Sequence, residues 1–104
     1  MCWTADATEG GWLEEIVFKA TPAGNTSLTV ARIWVNNGGT TGTATNNGLI
    51  AEIGLPVVVA TATAESIGFI KPIRRAFDPA FRIYITLGTG SANGWNATGF
   101  GGKY

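Results

Sequence analysis

The segment Phe81–Leu87, FRIYITL, carries the clearest indication of the fold. Its odd-numbered positions are apolar, and its even-numbered positions are polar or amphipathic. Because successive side chains of a strand point to opposite faces, this period of two is typical of a strand with one buried face. We therefore predict a half-buried strand whose core side is formed by Phe81, Ile83, Ile85 and Leu87, with Arg82, Tyr84 and Thr86 on the opposite side.

Five more segments of strand length lie between clusters of glycine, asparagine and proline. Such clusters supply the positive or fixed φ angles that turns require. The segments between them are rich in β-branched and aromatic residues, which favour extended backbone. They are Trp12–Ala20, Ser27–Val35, Leu49–Val59, Ser66–Ala76 and Trp95–Phe100. Strands that recur every ~8–15 residues without a long helical pattern predict an all-β sandwich or barrel.

The segment Leu49–Val59 alternates in the same way as Phe81–Leu87. Its core side is predicted to hold Leu49, Ala51, Ile53 and Leu55. Pro56 lacks the backbone N–H that a central strand needs, so it predicts an edge strand or the end of a strand.

The segment Trp12–Ala20 fits two patterns. As a strand it places Ile16, Phe18 and Ala20 on one face. As a helix it forms an apolar stripe at positions 12, 13, 16, 17 and 20. The glycines before Trp12 offer no good helix cap, and β-branched residues at the centre favour extension. We therefore favour the strand.

The composition describes one small, weakly charged domain. The chain has 104 residues, of which 45% are hydrophobic and 13% are charged, and its seven basic and seven acidic side chains balance. A chain of this length is expected to form one domain, residues 1–104. Zero net charge argues against nucleic-acid binding through phosphates, and no apolar stretch approaches the ~20 residues of a membrane span. We expect neither nucleic acid nor a membrane as a partner.

The charges are unevenly distributed along the chain. Residues 1–65 hold six acids and two bases, whereas residues 66–104 hold five bases and one acid. If the two halves formed different faces, the molecule would be a dipole suited to head-to-tail association. In a sandwich whose strands interleave, this segregation would vanish.

The residue types of most catalytic centres are missing. The chain has no histidine and one cysteine, Cys2. Histidine-based triads, zinc sites of cysteine and histidine, and an intrachain disulfide are therefore excluded. Glu14 and Glu15 are adjacent, but on a strand they would point to opposite faces. We predict that the protein is not an enzyme and uses no cofactor and no metal.

Trp34 is the most informative of the four tryptophans. If Ile33 faces the core, Arg32 and Trp34 lie side by side on the outer face, a combination typical of protein interfaces. The opposite phase, with Leu28, Val30 and Trp34 inside, would bury the indole, and the sequence leaves both phases open. An outward tryptophan in a wide, flat patch indicates protein contact, whereas one in a narrow groove with polar partners indicates sugar stacking.

Basic residues supply the other interface candidates. Arg74 and Arg75 lie on an otherwise apolar strand, near Arg82 across a turn. This arrangement suits either a contact with an acidic partner surface or a sheet edge protected by charge. The residues predicted to make protein contacts are Arg32, Trp34, Arg74, Arg75 and Tyr84.

The segment Thr40–Thr45 is poor in apolar residues and lies between asparagine-glycine pairs. It predicts a long surface loop. Loops of this kind often carry binding function, although a solvated excursion without a partner would have the same composition.

Strands and turns of the chain resemble those of small structural proteins encoded by tailed bacteriophages and prophages. The resemblance rests on Ala76–Thr89, on Gly94-Trp95 and the final Gly101–Tyr104, and on the earlier segments Gly10–Ala20 and Ala31–Gly38. It covers nearly the whole chain, and its basis is strand and turn pattern rather than a catalytic motif.

Proteins of this group are similar to capsid decoration or cement proteins, with a neck or tail location as the alternative. The resemblance implies a jelly-roll-like sandwich, alternatively an immunoglobulin-like one, that forms a homotrimer on the outer capsid surface of the virion. It implies the major capsid protein or other virion proteins as partners. It also implies a longer segment before Trp3, so we expect an N-terminal arm to be missing. The alternative function is a carbohydrate-binding module for host adhesion, with a glycan as partner.

Overall fold

The computed structural model describes residues 2–20, 28–57, 68–88 and 95–103. These residues form seven strands and one short 3-10 helix, Ala44–Asn46. The strands are β1 (Trp3–Thr4), β2 (Gly11–Ala20), β3 (Thr29–Asn36), β4 (Asn47–Leu55), β5 (Gly68–Phe77), β6 (Arg82–Leu87) and β7 (Trp95–Lys103). No helix among the described residues has the length and hydropathy needed to cross a membrane.

Each of the six predicted segments contains a strand. The predicted ends at Ser27, at residues 58–59 and at residues 66–67 lie outside the described residues. β1 was not predicted, because a strand of two residues is too short to show alternation. β4 ends at Leu55, directly before Pro56, and is an edge strand, as the proline predicted.

The strands form two antiparallel sheets that confirm the predicted all-β sandwich. The four-stranded sheet has the order β1-β6-β3-β4, and the three-stranded sheet has the order β5-β2-β7. A constant-type immunoglobulin domain also divides its strands into four and three, but its first strand pairs with its second, whereas β1 pairs here with β6. Strands from the acidic and basic halves pair with each other in both sheets, so the two halves do not form separate layers.

The core lies between the sheets and draws side chains from both. Its buried apolar members are Ala5, Leu13, Ile16, Phe18, Ala31, Ile33, Leu55, Phe77 and Ile83. Ile83 is fully buried, and Phe81 and Ile85 pack against the core, as the alternation predicted. Leu87, the fourth residue predicted on this side, is 36% exposed because it lies at the end of β6, beyond the core. Burial of such side chains is the main favourable term in folding a sandwich of this size.

A β-bulge at Glu14 explains the ambiguity of Trp12–Ala20. Leu13 and Ile16 are both completely buried although they are three positions apart. Relative to β7, β2 contains one extra residue between Leu13 and Glu15, which resets the alternation so that Ile16 and Phe18 return to the core. The three-residue spacing that imitates a helix is therefore produced by an irregular strand.

A second irregularity corrects the prediction for Leu49. Ile33 pairs with Ala51 and Trp34 with Leu49, so Ile50 is an extra residue in β4. This extra residue turns Leu49 to the outer face, where it is 48% exposed, while Ala51 stays on the core side. Leu49 therefore does not share the face of Ala51, Ile53 and Leu55.

Trp3 anchors the short β1 strand against two glycines of the other sheet. A Cβ atom at Gly99 would lie 2.8 Å from Trp3 Cβ, and one at Gly11 would lie 3.0 Å from the indole ring. Any side chain at these positions would displace the indole. The ring also contacts Phe77, with 5.7 Å between centroids.

Candidate binding surfaces

The structure resolves the phase of β3. Ala31 and Ile33 are buried, and Arg32 and Trp34 lie on the outer face of the four-stranded sheet. Leu28, which the opposite phase would place inside, is 71% exposed. Trp34 is half-buried rather than flush with the surface, because neighbouring strands and a loop rise around it.

Trp34 lies in a groove, which we call the Trp34 groove. Its described lining consists of Trp34, Thr41, Gly42, Ala44, Asn47, Tyr84, Ile85 and Thr86, around a volume of about 530 Å³. Tyr84 is the direct cross-strand neighbour of Trp34. The indole Nε1–H of Trp34 donates to Thr86 Oγ1 at 2.8 Å, a diagonal contact that fixes the plane of the ring.

Four asparagines hold the loop that forms one wall of this groove. Asn36 Nδ2 donates to Asn47 Oδ1 at 2.8 Å, and Asn37 Nδ2 donates to Asn46 Oδ1 at 3.3 Å. Asn47 Nδ2 donates to the backbone oxygens of Thr41 at 2.8 Å and Thr43 at 3.2 Å. Asn46 Nδ2 donates to the Thr40 carbonyl at 3.1 Å. The predicted surface loop is therefore ordered by specific hydrogen bonds.

An ion pair borders the groove. Arg32 Nε lies 2.9 Å from Glu52 Oε1, and both side chains are half-exposed. Arg32 is also the cross-strand neighbour of Thr86. Because Glu52 balances the guanidinium charge, this border contributes little net charge to the groove.

Arg74 and Arg75 lie on the other sheet, in β5. Arg74 has φ of 49° and its Nε lies 3.2 Å from Glu14 Oε1, at the irregular part of the β2–β5 pair. The Arg75 guanidinium lies over the Phe77 ring, 5.6 Å from its centroid, a cation–π contact. Of the five predicted contact residues, Arg32, Trp34 and Tyr84 are brought together, and the two arginines of β5 are separate from them.

Arg82 is not a neighbour of those two arginines. It lies in β6 of the four-stranded sheet, opposite Thr4 and Asn36. The expectation of a basic cluster across the turn is wrong, because the turn after Phe77 carries the chain from one sheet to the other.

The outer face of the three-stranded sheet carries a second candidate surface, which sequence reasoning missed. We call it the apolar face. Val17 lies between Ile70 and Thr98 in one cross-strand row, and Phe100 lies in the next row opposite Glu15. Ile70 is 59% exposed and Phe100 is 50% exposed, and Trp12, on the same strand as Val17, is 41% exposed. The sequence did contain an indication of this surface: β2, β5 and β7 carry apolar residues at both odd- and even-numbered positions, so one of them must be on the outer face.

Two observations concern the acidic groups and the thiol of the described residues. The described residues contain no group of three or more cysteine, aspartate or glutamate side chains that could hold a metal ion. Cys2 is a free thiol beside β6, and burial raises its pKa above the ordinary value of 9.0. A thiol with a raised pKa is a weak nucleophile at neutral pH.

No family model, no curated protein and no solved structure gives a significant match to this chain.

Proposed function

We propose that the chain is a phage virion structural protein, a decoration or cement protein that braces capsomers through protein–protein contacts on the outer capsid surface. The observation that carries this proposal is the apolar face of the three-stranded sheet. Large apolar side chains that stay half-exposed next to one another are typical of a surface that another protein covers. The sequence resemblance to phage structural proteins suggests the kind of particle.

Charged side chains lie at the border of the apolar face. Glu14 and Arg74 form an ion pair beside Trp12, whose indole Nε1–H donates to Glu14 Oε2 at 2.9 Å. Lys19 is exposed at the other end of β2. An apolar centre with a charged rim has the composition of a specific protein interface. Arg74 is proposed as a rim contact. Arg75 pairs with the buried Leu13 and lies over the Phe77 ring, so it is on the opposite side of β5 from this face.

Several contacts made at once would allow the protein to brace the capsid. A capsid-bound domain adds interface free energy that must be lost before the shell can open. In a homotrimer, as the resemblance implies, three apolar faces would bind adjacent capsomers together, and weak contacts would add through effective concentration. A sandwich suits this role because its faces are held rigid by two hydrogen-bonded sheets.

Virions prepared with and without the protein test the proposal. We expect the protein to co-sediment with the particles and to raise their disruption temperature. Ile70→Lys and Phe100→Lys should abolish co-sedimentation, because each places a charge on the apolar face while changing an exposed position. Leu28→Lys is the matched control, since Leu28 is an exposed apolar residue outside this face.

Two results would count against the proposal. Wild-type protein that neither co-sediments nor changes the disruption temperature would reject a virion role. Equal binding by all three variants would show that another surface makes the contact. Electron microscopy of the bound particles distinguishes the capsid from the neck or tail.

A further inference from the structure

The Trp34 groove is on the sheet opposite the apolar face, so the particle contact proposed above leaves it available. We infer that this groove binds a neutral saccharide, with Trp34 and Tyr84 as the stacking platform. This binding function is separate from the protein contact and rests on different residues.

The aromatic pair is held ready for a planar ligand. Trp34 and Tyr84 are adjacent across β3 and β6, and the hydrogen bond from Trp34 to Thr86 fixes the indole in the groove. A sugar ring has one face of C–H groups that packs on an aromatic ring, and hydroxyls at its edge that need polar partners. A ring that is fixed before binding loses little conformational freedom on binding.

The other lining residues supply those polar partners. Thr41, Asn47 and Thr86 line the groove, and hydroxyl and amide groups both donate and accept hydrogen bonds, as sugar hydroxyls do. None of the eight described lining residues is charged. Phosphate-bearing ligands and single-stranded nucleic acids require cations along the backbone path, so the lining favours a neutral ligand.

The groove is also preformed and of suitable size. Its volume of about 530 Å³ lies within the ~300–1,000 Å³ typical of small-ligand sites. The hydrogen bonds from Asn46 and Asn47 to the loop carbonyls hold the wall in place. Binding therefore does not have to order the loop first. A flat protein surface would not enter a groove whose aromatic residues are half-buried.

The experiment titrates the purified chain with short neutral oligomers of glucose, galactose, mannose and N-acetylglucosamine, read by tryptophan fluorescence and amide NMR shifts. We expect at least one series to saturate and to shift amides of Thr41, Tyr84 and Thr86. Trp34→Ala should remove the response, whereas Trp12→Ala, which changes the exposed tryptophan of the opposite sheet, should retain it.

A second pair of variants protects the test against misfolding. Thr41→Ala removes a lining hydroxyl from the exposed loop, and we expect about three- to tenfold weaker binding. Thr45→Ala changes an exposed threonine of the same loop that is not part of the lining, and binding should be unchanged. Silence against every neutral oligomer, a response to acidic sugars or oligonucleotides alone, or equal affinity of Thr41→Ala and wild type would each overturn the inference. None of these results depends on particle binding.

Discussion

Asn36 and Asn47 face each other where β3 and β4 meet, and the hydrogen bond between their side chains connects the sandwich to the loop above it. Asn36 is completely buried, and its Oδ1 accepts the Gly38 backbone N–H at 2.9 Å. One buried amide therefore holds both ends of the loop.

The first prediction concerns this amide. Asn36→Ala should lower the free energy of unfolding by about 1–3 kcal/mol, because it leaves the Gly38 N–H and Asn47 Oδ1 without their partner. Asn37→Ala is the control and should cost less than about 1 kcal/mol, since Asn37 is exposed. Urea denaturation measures both values. Equal losses would show that burial of Asn36 contributes nothing.

A second prediction uses two glycines of β7. Gly99→Ala should destabilise the fold by about 1–3 kcal/mol, because the added methyl group would overlap Trp3. Gly102→Ala should change stability by less than about 0.5 kcal/mol, since no atom of the described residues other than its chain neighbours lies within 4 Å of the added Cβ. Thermal unfolding monitored by circular dichroism compares the two. The packing of Trp3 described here is wrong if both variants unfold alike.

The third prediction concerns Ala80, which has φ of 65° in the turn between β5 and β6. Left-handed backbone costs a residue with a Cβ about 1–2 kcal/mol, which exceeds the ~0.5–1 kcal/mol of extra entropy that glycine loses on folding. Ala80→Gly should therefore raise the free energy of unfolding slightly. Ala76→Gly, at an exposed strand position, should lower it by about 0.5–1 kcal/mol. A destabilised Ala80→Gly would contradict this account.

The fourth prediction concerns the pH dependence of stability. The folded-state pKa of Cys2 is raised by burial, so in alkaline solution the folded chain retains a proton that the unfolded chain has released. The contribution of Cys2 to stability should therefore be full below its ordinary pKa of 9.0 and be lost as the pH rises through the folded-state pKa. Denaturation of wild type and Cys2→Ala across this range isolates the effect, because other titrations cancel. A parallel pair of curves would contradict it.

The fold could be predicted where burial acts on one face of a regular strand. In Phe81–Leu87 the pattern of apolar residues directly reflects the buried side of β6. It was also sufficient to place Ile16 and Phe18 on the core side of β2.

Irregularities were not predictable from pattern alone. Leu49 turns outward because Ile50 is an extra residue opposite β3, and that register is set by pairing between strands rather than by local preference. The apparent helical spacing of Leu13 and Ile16 has the same origin. In β2 and β4 the extra residue shifts the alternation by one position, so residues before and after the bulge no longer follow a single odd-even pattern.

The candidate site was predicted in part for a related reason. Strand parity placed Tyr84 on an outer face and left two phases open for Arg32 and Trp34. The structure selects the outward phase, and the pairing of β3 with β6 brings the three residues together. The odd-even pattern of a strand does not indicate which sheet the strand joins. The separation of Arg74 and Arg75 from the Trp34 groove could therefore not be predicted. The asparagine pairs were interpreted only as turn formers, because their long-range hydrogen bonds require the hairpin register.

The asparagines that hold the loop also make it sensitive to slow deamidation. Asn37 and Asn47 each precede a glycine, which leaves the side-chain amide open to deamidation, and asparagine is among the thermolabile residues. Converting Asn47 to aspartate would exchange its amide donor for an anionic oxygen facing the carbonyls of Thr41 and Thr43. Aged preparations would then keep the circular dichroism of their β-sheets while the wall above Trp34 loosened. The fraction of Trp34 grooves that bind a saccharide would therefore fall with storage time before any unfolding was detected.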